Sequence, residues 1–424
     1  MDSADTTTAA AAVPGPPVVG MVGGGQLARM TTAAAGPLGI EFRVLAASAG
    51  ESAAQVCAHT VLGDYRNAAD LLTFATGCDV VTFDHEHVPA DLIAALEQAG
   101  TAVRPGGHAL RFAQDKLAMR ERVSGLGIAC PRFAPVADLA AVEAFAGQAG
   151  WPVVLKAVSG GYDGKGVWVC RTPGQAQEVL AHGIGLLAEE LVPFERELAI
   201  LVARSPSRQG AAYPVVQTVQ RDGICREVIA PAPGLSPGLA AQAQWLGLRL
   251  AAELDVTGLL AVELFQTRGG LLVNEVAMRP HNSGHWTMDG SVTSQFEQHL
   301  RAVLNLPLGS TDPVAPVVVM ENILGGTEPD LREGLVHVMA LDPGVKVHFY
   351  GKEVRPGRKV GHVTALGTDV AETTARARRA ASYLASCVED ETLPGADGLA
   401  AGSPPAADPP APAPPAPAAT GEGA

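Results

Sequence analysis

The stretch "GLLAVELFQTRGGLLVNEVA", residues 258 to 277, restricts the possible folds more than any other part of the chain. Two apolar runs flank a turn at Arg268, Gly269 and Gly270, the pattern of an antiparallel hairpin built into a core. Pairing the arms about position 269 sets Glu263 opposite Glu275. Residues paired in this way share one face, and two carboxylates there repel unless a cation lies between them. Both glutamates have apolar neighbours ("AVELF", "VNEVA"), which weakens the reading of two exposed acids. The pair predicts a divalent cation with oxygen ligands, Mg²⁺ or Mn²⁺, of the kind that holds nucleotide phosphates.

Three other stretches carry chemistry. In "WPVVLKAVSGGYDGKGVWVC" Lys156 lies on an apolar strand, where an unpaired cation is costly and needs an anion such as a nucleotide phosphate. The loop after it, from Gly161 through Tyr162, Asp163, Gly164, Lys165 and Gly166 to Val167, has the glycines that let backbone N–H groups approach a bound group; a flexible turn is the alternative. "RPHNSGHWTMDG" gathers Arg279, His281, Asn282, His285 and Trp286 just past the hairpin, as a substrate-facing loop would. "YGKEVRPGRKVGH" concentrates Lys352, Arg355, Arg358, Lys359 and His362, which suits a phosphate or acidic ligand, or else forms a solvated charged face.

Residues 17 to 115 alternate short apolar runs ("PVVGMVG", "EFRVLAA", "DVVTFDH", "TAVRPG") with helical stretches, the pattern of a parallel βαβ sheet. The first run enters "GGGQLARM", where Gly23, Gly25 and Ala28 match the G-x-G-x-x-A dinucleotide fingerprint. A dinucleotide site also needs an acid at the end of the second strand, yet "EFRVLAASAG" ends in small residues and Glu51 comes late. That disfavours an NAD(P)-dependent oxidoreductase and leaves the turn as a phosphate site at a helix start, with Gln26 and Leu27 donating. Residues 116 to 305 read as antiparallel sheet with helices, and 306 to 390 as a small β-rich α/β domain. Residues 1 to 16 and the Pro/Ala-rich 391 to 424 read as disordered tails.

With 30 basic and 44 acidic residues the net charge is −14, which disfavours nucleic acid and anionic membranes as partners. The N-terminus lacks a secretory pattern, and no run of about 18 uncharged apolar residues could span a bilayer. Six scattered cysteines suggest reduced thiols in a cytoplasmic protein rather than a disulfide framework or zinc. Serine hydrolase, P-loop and zincin motifs are absent.

Taken together, Lys156 with "GGYDGKG", "AEELVPFERELA", the Glu263/Asn274/Glu275 hairpin and "RPHNSGHW" resemble the ATP-grasp superfamily. The order from "GGGQLARM" to "KEVRPGRKVGH", over residues 17 to 390, resembles its 5-(carboxyamino)imidazole ribonucleotide synthetase family. The resemblance implies an α/β ATP-grasp fold with a Rossmann-like domain before it and a small domain after it. It also implies a ligase of purine biosynthesis that uses ATP to carboxylate 5-aminoimidazole ribonucleotide with bicarbonate, and a homodimer. For ATP it implies Lys116, Lys156, the loop from Gly161 to Val167, Glu189, Glu190, Leu191 and Val192, Glu197 for the ribose, Gln220, Asn274 and Glu275. Gln220 stands where some relatives have histidine, and Met278 where proline is common. Glu263 and Glu275 would hold the metal. The ribonucleotide would meet Gly25, Gln26, Leu27, Glu86, Asn282, Lys352, Arg358 and Lys359, and the reacting groups Tyr162, Asp163, Arg279 and His281. A formate-dependent glycinamide ribonucleotide transformylase is the near alternative, although its usual "HDTG"-like loop differs from "HNSGHW". Biotin carboxylase fits less well, and a catalytically dead nucleotide-binding regulator would not need the intact metal and phosphate positions.

Overall fold

In a computed structural model, residues 15 to 161 and 165 to 389 are described. The two tails, apart from residues 15 and 16, and Tyr162, Asp163 and Gly164 of the glycine loop lie outside them. Val18–Val22 starts a four-stranded parallel sheet, ordered His59–Leu62, Glu41–Ala46, Val18–Val22, Val80–Phe83. One sequence expectation needs correcting here, and one strand went unread. "TAVRPG" supplies only an isolated bridge, Val103 to Val81, and not a strand. His59–Leu62 is a strand that the polar, short "HTVL" did not announce, and it is exposed at the sheet edge.

A second sheet of four strands runs Phe133–Val136, Leu186–Glu190, Val153–Ala157, Val167–Cys170, all antiparallel. The third sheet has nine strands. Gly270–Ala277, Gly258–Thr267, Arg196–Arg204, Val216–Arg221 and Ile224–Ala230 come first, followed by Val317–Leu324, Lys359–Gly367 and Lys346–Phe349, while Gly210–Ala212 pairs beside Arg196–Arg204. The strands after residue 306 therefore continue the central sheet and do not form a sheet of their own. Val370–Ser386 packs under this extension through Ala377, Ala380, Ala381 and Leu384.

The hairpin differs from the simple reading by one residue in an informative way. Thr267 pairs with Gly270, so the turn is the two residues Arg268 and Gly269, and Gly270 already belongs to the strand at φ +119°. Continued unbroken, that register would set Glu263 against Asn274. A bulge at Asn274 shifts it, and Glu263 does face Glu275. A bulge re-aims the side chains at its own position, and here Asn274 and Glu275, though adjacent, both reach lysines of the neighbouring elements.

The loop after the hairpin is anchored from beneath. Trp286 is 1% exposed in the core formed by Leu201, Ala203, Tyr213 and Val318, with the Tyr213 ring edge-on at 6.3 Å. It is a packing residue that anchors the loop which begins at Arg279. Trp286→Ala should lower the unfolding free energy by about 3–5 kcal/mol, measured by urea denaturation; a change below about 1 kcal/mol would mean the loop is held in place by its polar contacts instead.

Candidate active site

The small and large antiparallel sheets face one another across a set of buried charges. Lys156 and Glu189 occupy adjacent strands, with Val154 opposite Glu189 and Lys156 two residues along on the same face. Lys156 Nζ lies 2.7 Å from Glu189 Oε2, and Arg120 Nε donates to Glu189 Oε1 at 2.7 Å. Glu189 is 2% exposed. Burial works to raise its carboxyl pKa, but the two cations overcome this and hold it below the usual range. For Lys156 burial wins, and its pKa falls below the usual lysine value. Both cations also cross to the large sheet: Lys156 Nζ donates to Asn274 Oδ1 at 3.1 Å and Arg120 Nη1 to the Val273 carbonyl at 2.9 Å.

Lys116 is the first residue of the helix Lys116–Gly125, whose Asp115 cap accepts from the Ala118 N–H at 2.8 Å. Its backbone N–H donates to Val158 O at 2.8 Å, at the mouth of the glycine loop, and its Nζ is paired with Glu275 Oε1. Arg120 follows four residues later on the same helical face. The loop closes on Gly166 at φ +76°, whose carbonyl accepts from Ala157 N at 2.8 Å, while a Cβ on Gly161 would come within 2.7 Å of the Lys165 carbonyl. Lys165 and Val167 face outward.

Glu190, Leu191 and Val192 lead from the small sheet to the large one. Glu190 is occupied by Arg132, whose Nε donates at 2.7 Å. Leu191 is 47% exposed, and beyond it Phe194 stacks on Phe265 at 4.7 Å. Glu197 is half-buried, its carboxyl pKa raised by burial despite a hydrogen bond from Gln220.

Glu263 lies deeper than its partner. Burial, with Glu275 and Glu197 adding to it, pushes its carboxyl up to about 7, while Lys116 and Lys359 pull the other way. Among the described residues no three acids, histidines or cysteines form a ready cage for a metal. Two facing carboxylates with room left for other oxygens suit a hard divalent cation that keeps phosphate and water ligands.

His281 lies 3.7 Å from Glu263 through Nε2. Its Nδ1 accepts from the Ser283 N–H at 3.4 Å and contacts Ser283 Oγ at 2.8 Å, so the ring proton belongs on Nε2 and points at Glu263. Burial, then Arg279 and Lys359, push its pKa down to about 3, and the ring is neutral. The fully buried Gln295 fixes the loop, accepting from the His281 N–H at 2.8 Å and donating to the His281 carbonyl at 2.9 Å. Asn282 exchanges two hydrogen bonds with Asn322, at 3.0 and 2.9 Å. Arg279 Nε donates to Glu86 Oε2 at 2.7 Å, which joins two residues that the sequence had given separate roles. Burial opposes charge on Arg279, but Glu86 outweighs it and raises the pKa.

The basic loop closes the other side. Lys359 begins its strand beside Glu263 and His281, and Lys352 lies over the Tyr350 ring at 5.8 Å. Arg358 donates to the Glu353 carbonyl at 3.2 Å, while Arg355 pairs with Glu353 in solvent. His362, in the same motif, is fully buried with His285 and Tyr350 and belongs to the core. Gln26 is half-buried at the helix start, whereas Leu27 packs its side chain with Met30, Phe296 and Tyr350. The sequence reading missed Arg120, Gln295 and Asn322. Only Arg120 left a signal, the i, i+4 spacing from Lys116.

Burial pushes His285 and His362 well below their usual pKa and His299 down to about 4. The unfolded chain therefore takes up protons that the folded one refuses. This stability is whole above about pH 6.5 and is lost as pH falls toward 4, by up to about 1.4 kcal/mol per pH unit for each ring. Glu263, pushed up to about 7, and Glu321, pushed up to about 8, contribute with the opposite sign above about pH 4.5, so the ring's share is read as a difference: between pH 4 and 6.5 the slope of urea-unfolding stability against pH should be less positive in His299→Gln than in the parent, and an unaltered slope would mean that this ring does not contribute.

Three family models match the chain: a ribonucleotide synthetase preATP-grasp domain over residues 17–114, an ATP-grasp domain over 121–296, and a phosphoribosylaminoimidazole carboxylase C-terminal domain over 318–376. The chain is 56% identical over 376 residues to N5-carboxyaminoimidazole ribonucleotide synthase of Mycobacterium tuberculosis, covering 87% of this chain and 88% of the relative. N5-carboxyaminoimidazole ribonucleotide synthetase from Thermus thermophilus superposes with a TM-score of 0.79 at 40% identity, covering 88% of this chain and 100% of that one. The Aspergillus clavatus synthase, solved with ADP and 5-aminoimidazole ribonucleotide, superposes with a TM-score of 0.81 at 30% identity, covering 88% and 100%. The chain belongs to the N5-carboxyaminoimidazole ribonucleotide synthase family of ATP-grasp ligases.

Proposed function

We infer that the chain is the ATP-dependent carboxylase of 5-aminoimidazole ribonucleotide, acting in purine biosynthesis with bicarbonate as the carbon source. The identity with the Mycobacterium tuberculosis synthase carries this reading. In the reaction a bicarbonate oxygen takes the terminal phosphoryl group of ATP, giving ADP and carboxyphosphate. The exocyclic amine then attacks the carboxyl carbon directly or as released CO₂; the carbon–oxygen bond to phosphate breaks and the amine gives up a proton.

The chain's own groups divide this work. Lys116 and Lys156 would meet the phosphates, since each already holds an anionic or carbonyl-type oxygen at the place where the sheets face. Backbone groups from Glu190 to Val192 would take the adenine and Glu197 the ribose, with Gln220 orienting the Glu197 carboxylate. The Glu189 carboxylate, occupied on both oxygens, holds Lys156 and Arg120 in place rather than touching nucleotide. Glu263 and Glu275, with Asn274 beside them, would hold Mg²⁺ or Mn²⁺. The ion, when bound, neutralises charge on the transferring phosphoryl group. Arg279, kept charged by Glu86, would hold the bicarbonate-derived carboxylate, and neutral His281 would donate from Nε2. Asn282, Lys352, Arg358 and Lys359 would hold the ribonucleotide. Tyr162 and Asp163, which the resemblance sets near the reacting carbon, lie outside the described residues.

No described helix is long and apolar enough to cross a membrane, and all six cysteines are free, which supports a cytoplasmic location. A homodimer is expected from the resemblance.

ADP release should require both the aminoimidazole nucleotide and bicarbonate, and the product should take up a carboxyl group from labelled bicarbonate. Activity with formate and glycinamide ribonucleotide instead would assign the sister reaction. Lys156→Met should lower kcat/KM for ATP at least about 100-fold; a loss under about fivefold would remove Lys156 from the phosphate site.

A further inference from the structure

From sequence, the glycine turn at residues 23 to 25 reads as a phosphate cradle, yet acids are packed against it. Gly25 caps the ten-residue helix Gln26–Ala35, and no side chain satisfies that helix start. A Cβ on Gly25 would lie 2.5 Å from Asp84 Oδ2, and one on Gly23 2.6 Å from Asp84 Oδ1. One on Gly24 would lie 2.1 Å from Glu51 Oε2, which accepts from the Ala47 N–H at 3.2 Å. Asp84 is only 7% exposed, and its buried Oδ2 has no hydrogen-bond partner among the described residues. Two carboxylates repel a phosphate dianion. A hydroxyl is complementary to the same groups: it donates to a carboxylate and accepts from a helix N–H, as ribose does beside the acid of dinucleotide-binding sites.

The basic loop lies close by. Ser52 Oγ donates to the Tyr350 carbonyl at 2.5 Å and Gln55 Nε2 to the Gly351 carbonyl at 2.7 Å, one residue before Lys352. Arg29, on the first turn of the same helix, donates to Ser52 O at 2.8 Å. Acidic turn and basic loop are thus joined through the segment that carries Glu51, and a ribonucleotide presents a diol and a dianion to match them.

We propose that Asp84, with the N-terminal backbone N–H groups of the helix Gln26–Ala35, binds a ribose hydroxyl of the ribonucleotide, leaving the 5′-phosphate to Lys352, Arg358 and Lys359. The proposal rests on the ribonucleotide being the substrate. It reverses the expected sign of an Asp84 substitution. If the turn held phosphate, removing the acid would tighten binding; if it holds a hydroxyl, removal weakens it.

The test is steady-state kinetics of the parent enzyme, Asp84→Asn and Asp84→Ser with 5-aminoimidazole ribonucleotide and its 2′-deoxy and 3′-deoxy counterparts, with melting curves for each protein. In D84N the KM for the ribonucleotide should rise about 10- to 100-fold, the loss of one hydrogen bond to a charged group. KM for ATP should stay within about twofold, and one deoxy analogue, already poor with the parent, should lose nothing further. A lower or unchanged KM, or equal further losses on both analogues, would overturn the proposal. If neither variant folds, the parent alone decides: undiminished use of both deoxy analogues excludes a hydroxyl contact at the turn, and a selective loss on one supports it. A parent that turns over none of the three nucleotides removes the functional reading and the proposal together, whereas an active parent with an unchanged D84N removes the proposal alone.

Discussion

Glu189 is charged, 2% exposed and bonded on each oxygen to a different cation, one from its own sheet and one from the helix Lys116–Gly125. Neither cation stops there, because Lys156 goes on to Asn274 and Arg120 to the Val273 carbonyl, both on the large sheet. Removing one partner of such a buried pair typically costs about 3–5 kcal/mol, since the remaining charge is left uncompensated. The arrangement adds little net stability over apolar packing, but it fixes positions. It ties the two sheets together through Asn274 and the Val273 carbonyl, beside the place where the proposed function puts the phosphates of the nucleotide.

Around this clamp the charges are sorted. Glu263, Glu275 and Glu197 form an acidic wall whose deepest member is pushed up to about 7 by burial and by its neighbours. Lys116 and Lys359 both act on that deepest member, and Lys116 is paired with Glu275. The surrounding histidines are kept neutral by burial, so they add hydrogen bonds without adding charge. A site with this balance can accept a nucleotide with its divalent cation beside a second, anionic substrate. The chain's net charge of −14 would otherwise oppose both.

Much of this was legible in the sequence because it rests on local pattern. Apolar runs, glycine turns and helical periodicity located the parallel sheet, both hairpins and the last helix. The carboxylate pair was found for a partly accidental reason: the pairing centre lies half a residue before position 269, and the bulge at Asn274 restores the face-to-face glutamates. A bulge has no composition signature, so its effect on Asn274 needed coordinates. Long-range pairs were equally hidden. Glu86 and Arg279 are 193 residues apart and Asn282 and Asn322 are 40 apart, and nothing local announces either contact. The glycine turn was recognised but its electrostatics were not, because Asp84 arrives from a neighbouring strand.

Lys116 is paired with Glu275, and in the proposed function it turns to a phosphate oxygen while Glu263 and Glu275 take the cation. A crystal structure with ADP, Mg²⁺ and 5-aminoimidazole ribonucleotide tests it most directly. Lys116 Nζ should leave Glu275 for a phosphate oxygen, and Glu263 and Glu275 should share the cation. A Lys116–Glu275 pair that persists beside bound ADP, with the cation held elsewhere, would contradict it.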